Sequence, residues 1–522
     1  MINRQVNKMV KGTAILTVAS LLAKILSAFY RIPLENLVGN TGFYIYQQVY
    51  PLYGVGMTFA LTGFPMYISK IIAQQAKQQA KDQVAYELLL LLSVLGVVAF
   101  TGLQIGAGWL SQAMGDGQLQ VLIRSVSWMY LLMPFLAVGR GYHQGVFNMV
   151  PTALSQLVEQ SIRVAVIIIV AVLAVRMQWS LYYMGAWAML GSTFGAIGAS
   201  FFFILFYIKL LHGKHQFSWS ELKQLAIQLF SSGLTICLFT AMMVLLQLID
   251  SFTIKDALQS SGYHAAEAKN LKGIYDRAQP LIQMGLVISV SFSTTLLPLL
   301  TEKFMQHKIK EFKQITQMII RVCLGISSAA GVGLVILMPE INTTLFGDAV
   351  GSGALAISML AIIFATLLTM YTSFLQSLDQ YWQTFLALIV ILLVKSISNT
   401  FLVRHFGITG ASIATVVSLI AGCFVLRKTL PQMGNYLLGR DYFLLKLGLA
   451  LLSMTVITRV YVELLERYIY TGRLASTIAT GGGVLLGGIV FIISASRLKL
   501  FTPQEWASIP GGARISKLFQ RK

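Results

Sequence analysis

This chain has little charge. Only 11% of its 522 residues are charged, against 56% hydrophobic, and its mean hydropathy is +0.73. So few charged groups cannot cover a soluble globule of this length, which excludes a soluble enzyme or a soluble nucleic-acid-binding domain. Cysteine is nearly absent. Cys237, Cys323 and Cys423 lie far apart in apolar runs, which excludes a disulfide framework and a cysteine metal site. No GxxxxGK[ST] loop occurs, so the chain carries no P-loop ATPase of its own, and neither HExxH nor GxSxG is present. Long hydrophilic segments able to house a catalytic domain are missing as well. His143 and His405 are isolated, Asp379 has no acidic neighbour, and His212 with His215 lacks further ligands nearby. No metal, cofactor or enzymatic activity is expected.

What is present is apolar and helical in length. About fourteen runs can each cross a bilayer whose hydrocarbon core is about 30 Å thick: 12–34, 43–72, 85–110, 119–141, 152–175, 181–210, 222–250, 272–300, 314–338, 353–376, 382–403, 409–430, 442–463 and 475–496. The first is too long for a signal-peptide core and lacks a small-residue cleavage site, so it is expected to stay as a span. The fold class is an all-α polytopic membrane protein of about 14 transmembrane helices. An even number of spans puts both termini on one side. With the N-terminus cytoplasmic, roughly 23 Lys and Arg fall in inside loops against roughly 7 outside, the bias expected of a multi-pass protein of the bacterial cell membrane. The formal net charge of +20 is then mostly topology and attraction to anionic headgroups, with no nucleic-acid partner.

An octapeptide occurs twice, IYQQVYPL at Ile45 to Leu52 and IYDRAQPL at Ile274 to Leu281. The correspondence extends further: Pro65 and Lys70 match Pro298 and Lys303, and Gln144, Thr152 and Arg163 match Gln376, Thr384 and Lys395, at nearly constant offset. Spans one to six and seven to twelve therefore form two lobes of like orientation, the parallel type of repeat that transporters use for alternating access. The expected division is 1–215 for the N-terminal lobe, 216–435 for the C-terminal lobe, and 436–522 for spans thirteen and fourteen with a basic tail.

Ionisable groups at membrane depth are costly and mark functional positions. Lys24 and Arg31 stand seven residues apart, on nearly one face of span one. Either they line the space between the lobes, with Arg277 from the matching region of the other lobe, or they snorkel to opposite headgroup layers. In the first case their partner is an anion with several oxygens, such as phosphate or pyrophosphate. Glu159 and Arg163 have the i, i+4 spacing of an intrahelical ion pair. Lys395 repeats Arg163 but has Ile391 four positions earlier, so it is expected to face water or a ligand. Asp276 either neutralises Arg277 or takes a coupling cation. The candidate substrate-binding set is Lys24, Arg31, Asp276, Arg277, Glu159, Arg163 and Lys395.

The stretches KGTAILTVASLLAKILSAFYRIPLENLVG, IYQQVYPLYG, YHQGVFNMVPTALSQLVEQSIRV, GIYDRAQPLIQMGL, TTLLPLLTE and FGITGASIATVVS resemble the polysaccharide-transporter branch of the multidrug/oligosaccharidyl-lipid/polysaccharide exporter superfamily. Within it they are similar to the MurJ-like and stage V sporulation protein B-like proteins of Gram-positive bacteria. The resemblance implies a flippase, not an enzyme, that carries undecaprenyl-pyrophosphate-linked sugars, lipid II above all, from the inner to the outer leaflet for cell-wall synthesis. It implies a lipid-linked oligosaccharide and membrane lipids as partners, with a coupling ion. It also implies that Lys24 stands at a span-one arginine of the family, Arg31 near a second, and Asp276 with Arg277 at its Asp-Arg pair, all toward the pyrophosphate. The chain departs from that pattern at Pro280, where the family has an acidic residue, and at Gln47 and Gln48, where span two offers no arginine. Other polyprenyl-linked cargo, a cation-coupled multidrug exporter and a membrane-embedded transferase are the alternatives.

Overall fold

The computed structural model describes residues 2–213, 215, 218–287, 306, 308–378, 380–429, 442–468, 472–509 and 512. Among these there is no strand. Eleven helical stretches are long and apolar enough to cross a membrane, and the chain is an all-α polytopic membrane protein. Two of the three spans by which this differs from fourteen are accounted for physically. Val18–Gln74 and Tyr381–Lys428 are continuous runs that each hold two expected spans, and the eighth, 272–300, lies partly outside the described residues. Both long runs are broken by a left-handed glycine, Gly39 at φ 67° and Gly407 at φ 58°. A residue with a Cβ rarely adopts that backbone, so glycine permits a reversal with hardly a loop.

The chain divides into two compact units, Met1–Asp276 and Arg277–Lys522. The first contains α1 (Ile2–Phe29), α2 (Arg31–Thr58), α3 (Phe64–Gln74), α4 (Gln78–Ala113), α5 (Gln120–Gly145), α6 (Met149–Arg176), α7 (Leu181–Ser200), α8 (Ile204–Leu211), α9 (Trp219–Gln228), α10 (Leu234–Thr240), α11 (Met242–Ser260) and α12 (Ala265–Asp276). Gln48 on α2 donates to the Ser251 carbonyl of α11, and Gly273 on α12 lies against the Asn40 backbone with no room for a Cβ. These contacts hold α11 and α12 to the first unit. The contact boundary thus falls at a different place from the repeat boundary at 215/216.

The second unit contains α13 (Ile309–Ile336), α14 (Met338–Phe346), α15 (Ser352–Met359), α16 (Ala361–Ser377), α17 (Tyr381–Thr429), α18 (Phe443–Tyr468), α19 (Arg473–Arg497) and α20 (Pro503–Ser508). Phe443, Leu447, Phe501 and Trp506 pack with Val322 in its core. Arg321 of α13 pairs with Glu505 of α20 at 3.1 Å and donates to the Leu500 carbonyl, so the end of the described chain is fastened beneath this core.

Polarity is reversed relative to a soluble protein. Val94, Val97, Val98, Ile105 and Trp109 of α4 are exposed, while Arg31, Arg140, Arg163 and Arg277 are among the largest fully buried side chains. Lipid solvates the first group at little cost; the second must be stabilised by partners inside the protein or by a ligand.

Candidate functional site

α1 and α6 lie side by side in the first unit. The Ser20 hydroxyl donates to Gln156 at 2.7 Å, and Arg163 Nη2 donates to the Ser27 hydroxyl at 2.8 Å. Both contacts advance by seven residues on each helix, so the two helices run parallel. That is the direction required if spans one and five cross the membrane in the same sense. Lys24 lies between Ser20 and Ser27 on the same face of α1. It is half-buried, with no hydrogen-bond or ion-pair partner among the described residues.

Tyrosines from the turn after α1 and from α2 complete the site. Arg31 Cζ lies 4.2 Å from the centroid of the Tyr50 ring, and Arg163 Cζ lies 4.5 Å from Tyr53 and 5.1 Å from Tyr30. Tyr30 and Tyr46 share a hydroxyl hydrogen bond of 3.0 Å. Tyr46, Tyr50 and Tyr53 are spaced i, i+4, i+7, which lines them along one face of α2. Each ring offers a cation its negative face, worth about 0.5–2 kcal/mol. Among the described residues, five guanidinium nitrogens nevertheless find no hydrogen-bond acceptor: Arg31 Nε, Nη1 and Nη2, and Arg163 Nε and Nη1. These nitrogens keep N–H groups of the kind that an oxyanion accepts several at a time.

Arg163 and Glu159 are not paired with each other. The Glu159 carboxylate accepts from Arg140 of α5 at 2.5 Å, both side chains being buried. Arg140 also donates to Ser155 and to the Ala60 carbonyl, which lies in a π-helical turn, Phe59–Gly63, between α2 and α3. The expected i, i+4 pair is thus replaced by one between α5 and α6. The reason is that Arg140 brings three satisfied donors to one place, which leaves Arg163 free to turn toward the tyrosines.

Asp276 and Arg277 straddle the boundary between the units and have different partners. Lys272 binds Asp276 Oδ1 at 2.6 Å, while Asp276 Oδ2 is buried without a hydrogen-bond partner among the described residues. Asp276 lies within Coulombic reach of Asp250, whose carboxylate accepts from Tyr275, and of Arg31. Arg277 is held in the second unit by Asp348 through two parallel hydrogen bonds, Nη1 to Oδ1 at 2.8 Å and Nη2 to Oδ2 at 3.0 Å. Asn342 Oδ1 accepts from Nη1 at 3.1 Å, and the Phe346 ring lies beneath the guanidinium at 5.0 Å. The Arg277 hydrogen bond holds the Asp348 carboxyl below the usual carboxylate range.

Lys395 does not face water. It is fully buried and donates to Thr415 at 2.7 Å and to Asn399 and the Ala411 carbonyl at 3.2 Å. The reversal at Gly407 creates this arrangement by bringing 411 and 415 back onto 395. Three neutral acceptors satisfy the ammonium where a single acidic residue was sought.

The sequence reading missed Tyr30, Tyr46, Tyr50, Tyr53, Arg140, Lys272 and Asp348. The tyrosines carried a signal, their helical spacing. Asp348 carried none, because a lone aspartate in a glycine-flanked loop has many uses. Among the described residues no group of three or more His, Cys, Asp and Glu could hold a metal ion.

The multi-helix membrane fold carries buried cations, and its family and relatives place it in the transporter and flippase class. Residues 9–304 match the family described as polysaccharide biosynthesis protein, and the chain belongs to that family. It is 36% identical over 519 residues to the membrane protein YabM of Bacillus subtilis (strain 168), covering 98% of this chain and 97% of that one. It is 23% identical over 535 residues to the lipid II flippase MurJ of the same organism, covering 97% and 98%. Among solved structures, it superposes on a lipid II flippase MurJ in an inward closed conformation with a TM-score of 0.67 and 14% identity, over 92% of this chain and 98% of that one. The chain is a MurJ-like polysaccharide transporter, and its family and structural neighbours are transporters rather than enzymes.

Proposed function

We propose that this protein is a flippase that moves an undecaprenyl-pyrophosphate-linked cell-wall precursor, lipid II foremost, from the inner to the outer leaflet by alternating access. The observation that carries the reading is the Arg31 and Arg163 pair, with five unbonded guanidinium nitrogens inside a tyrosine cage. A diphosphate supplies the charge and the oxygens that this site lacks, and Lys24 on the same face of α1 adds a mobile point charge. The tyrosine hydroxyls suit the sugar end, while the polyprenyl tail stays in lipid. The relationship to a lipid II flippase over nearly the full chain supports the same substrate class. A cationic drug would meet repulsion at this site, which disfavours the multidrug alternative. Both termini are assigned to the cytoplasm on the loop charges, and Lys24, Arg31 and Arg163 to the diphosphate.

The experiment is translocation in proteoliposomes. Fluorescent lipid II placed in one leaflet should reach the other with wild-type protein and fail to do so with Arg31→Gln or Arg163→Gln. Equal translocation by the variants would remove the arginine pair from the mechanism. A second cargo, such as an undecaprenyl-pyrophosphate-linked teichoic-acid unit, moving in place of lipid II would narrow the substrate differently within the same class.

A further inference from the structure

Arg31 and Arg277, both read in the sequence as candidate cations for the same anion, are in opposite states. Among the described residues Arg31 finds no hydrogen-bond acceptor for its guanidinium, whereas Arg277 is engaged by a carboxylate from its own chain. We propose that Asp348 is a built-in substitute for the substrate's anion, holding Arg277 in the substrate-free protein and giving it up when a diphosphate binds. This rests on the flippase reading and adds a residue to it.

Three features support exchange rather than a permanent pair. First, the geometry is that of anion recognition. Two parallel N–H···O bonds from one guanidinium to the two oxygens of Asp348 are the contact that Arg makes with a phosphate edge. Second, the two partners differ in exposure. Arg277 is 1% exposed and the Asp348 side chain 40%, so the carboxylate sits at the rim and can leave without dragging a buried charge. Third, Asp348 is carried on a loop bounded by Gly347 at φ 91° and Gly351 at φ 75°. Left-handed glycines at both ends let the loop change shape with little steric penalty. Asn342 braces the loop, donating to the Val350 carbonyl at 2.9 Å and to the Ser352 hydroxyl at 3.1 Å while accepting from Arg277. It therefore senses whether Arg277 is in place. A proton is a poor release agent at cellular pH, because the carboxyl is held below the usual carboxylate range. A competing anion remains.

The test uses purified full-length protein in phosphatidylcholine nanodiscs, with inorganic pyrophosphate titrated by calorimetry. Asp348→Asn keeps the shape, removes the competing charge and should bind pyrophosphate about tenfold more tightly than wild type. Adding Arg277→Gln should erase that gain. If Asp348→Asn folds poorly, Asp348→Glu, with its carboxylate displaced by one methylene, should give a smaller gain of the same sign. A phosphatidylglycerol nanodisc arm separates a membrane phosphate from a free one: if the lipid supplies the anion, the gain shrinks there through competition. Unchanged affinity in a folded Asp348→Asn overturns the proposal, as does a gain that survives Arg277→Gln. Translocation of lipid II with no effect of Asp348 sinks the substitute and leaves the flippase standing. A gain through Arg277 without translocation of any polyprenyl diphosphate keeps the substitute and sinks the flippase.

Discussion

Arg140 of α5 and Arg163 of α6 are both completely buried, and they should respond oppositely to mutation. Arg140 is a structural cation whose removal strands the buried Glu159 carboxylate. Arg140→Leu is expected to cost about 3–5 kcal/mol, read as a large fall in thermal unfolding temperature in detergent. Arg163 has two unbonded nitrogens, one serine acceptor and the faces of Tyr53 and Tyr30, but no carboxylate partner among the described residues, so its removal strands no opposite charge and the lost contacts are offset by relief of its own desolvation. Arg163→Gln should leave the unfolding temperature unchanged or raised, yet abolish lipid translocation. A matching loss of stability in both variants would contradict the division of roles. Sequence reading found Arg163 and Glu159 but joined them to each other, because spacing along one helix is visible in a sequence and the approach of Arg140 from α5 is not. Lys395 shows the same limit: two of its three acceptors lie sixteen and twenty positions on, brought back by a turn whose glycine looks like any other of the chain's 44.

At the scale of elements, the reversal inside α17 depends on Gly407. Nothing lies within 4 Å of where its Cβ would be, so Gly407→Ala is opposed by backbone conformation alone, at about 1–3 kcal/mol. The expected result is a lower unfolding temperature with translocation per folded molecule retained. Gly273 differs: a side chain there collides with the Asn40 backbone and pries α12 from α2. Gly273→Val should therefore impair insertion or folding much more than Gly407→Ala. The reverse order would show that packing between these helices is loose. Element existence was legible because long apolar runs admit few structures in lipid. The breaks were less so. Gly39 and Gly407 turn the chain without polar loops, which is why pairs of expected spans appear as single continuous stretches.

The whole molecule combines an apolar exterior with buried cations in distinct states. The Asp348 contact adds one pH dependence. Its folded carboxyl lies below the ordinary 3.8, so the ion pair contributes stability above that value, and the contribution is lost as pH falls through the depressed folded value. With 40% of its side chain exposed, the contribution is screened to below about 1 kcal/mol. Wild type and Asp348→Asn should thus differ slightly in unfolding temperature near pH 6 and converge as the pH is taken progressively below 3.8. A gap that widens on acidification would contradict the assigned protonation. The class of protein was legible from composition and repeat, since both act over the full chain. The tyrosine cage and the Asp348 substitute were not, because they arise from tertiary contacts between residues far apart in sequence.

The central claim is that the buried arginines carry a lipid-linked diphosphate across the membrane. The most direct measurement is outer-leaflet lipid II in cells depleted of this protein and of any redundant flippase, rescued with wild type, Arg163→Gln or Arg277→Ala at equal membrane abundance. The account predicts loss on depletion, recovery with wild type, and none with either variant. Undiminished outer-leaflet lipid II after depletion, or full recovery with both variants, would contradict it.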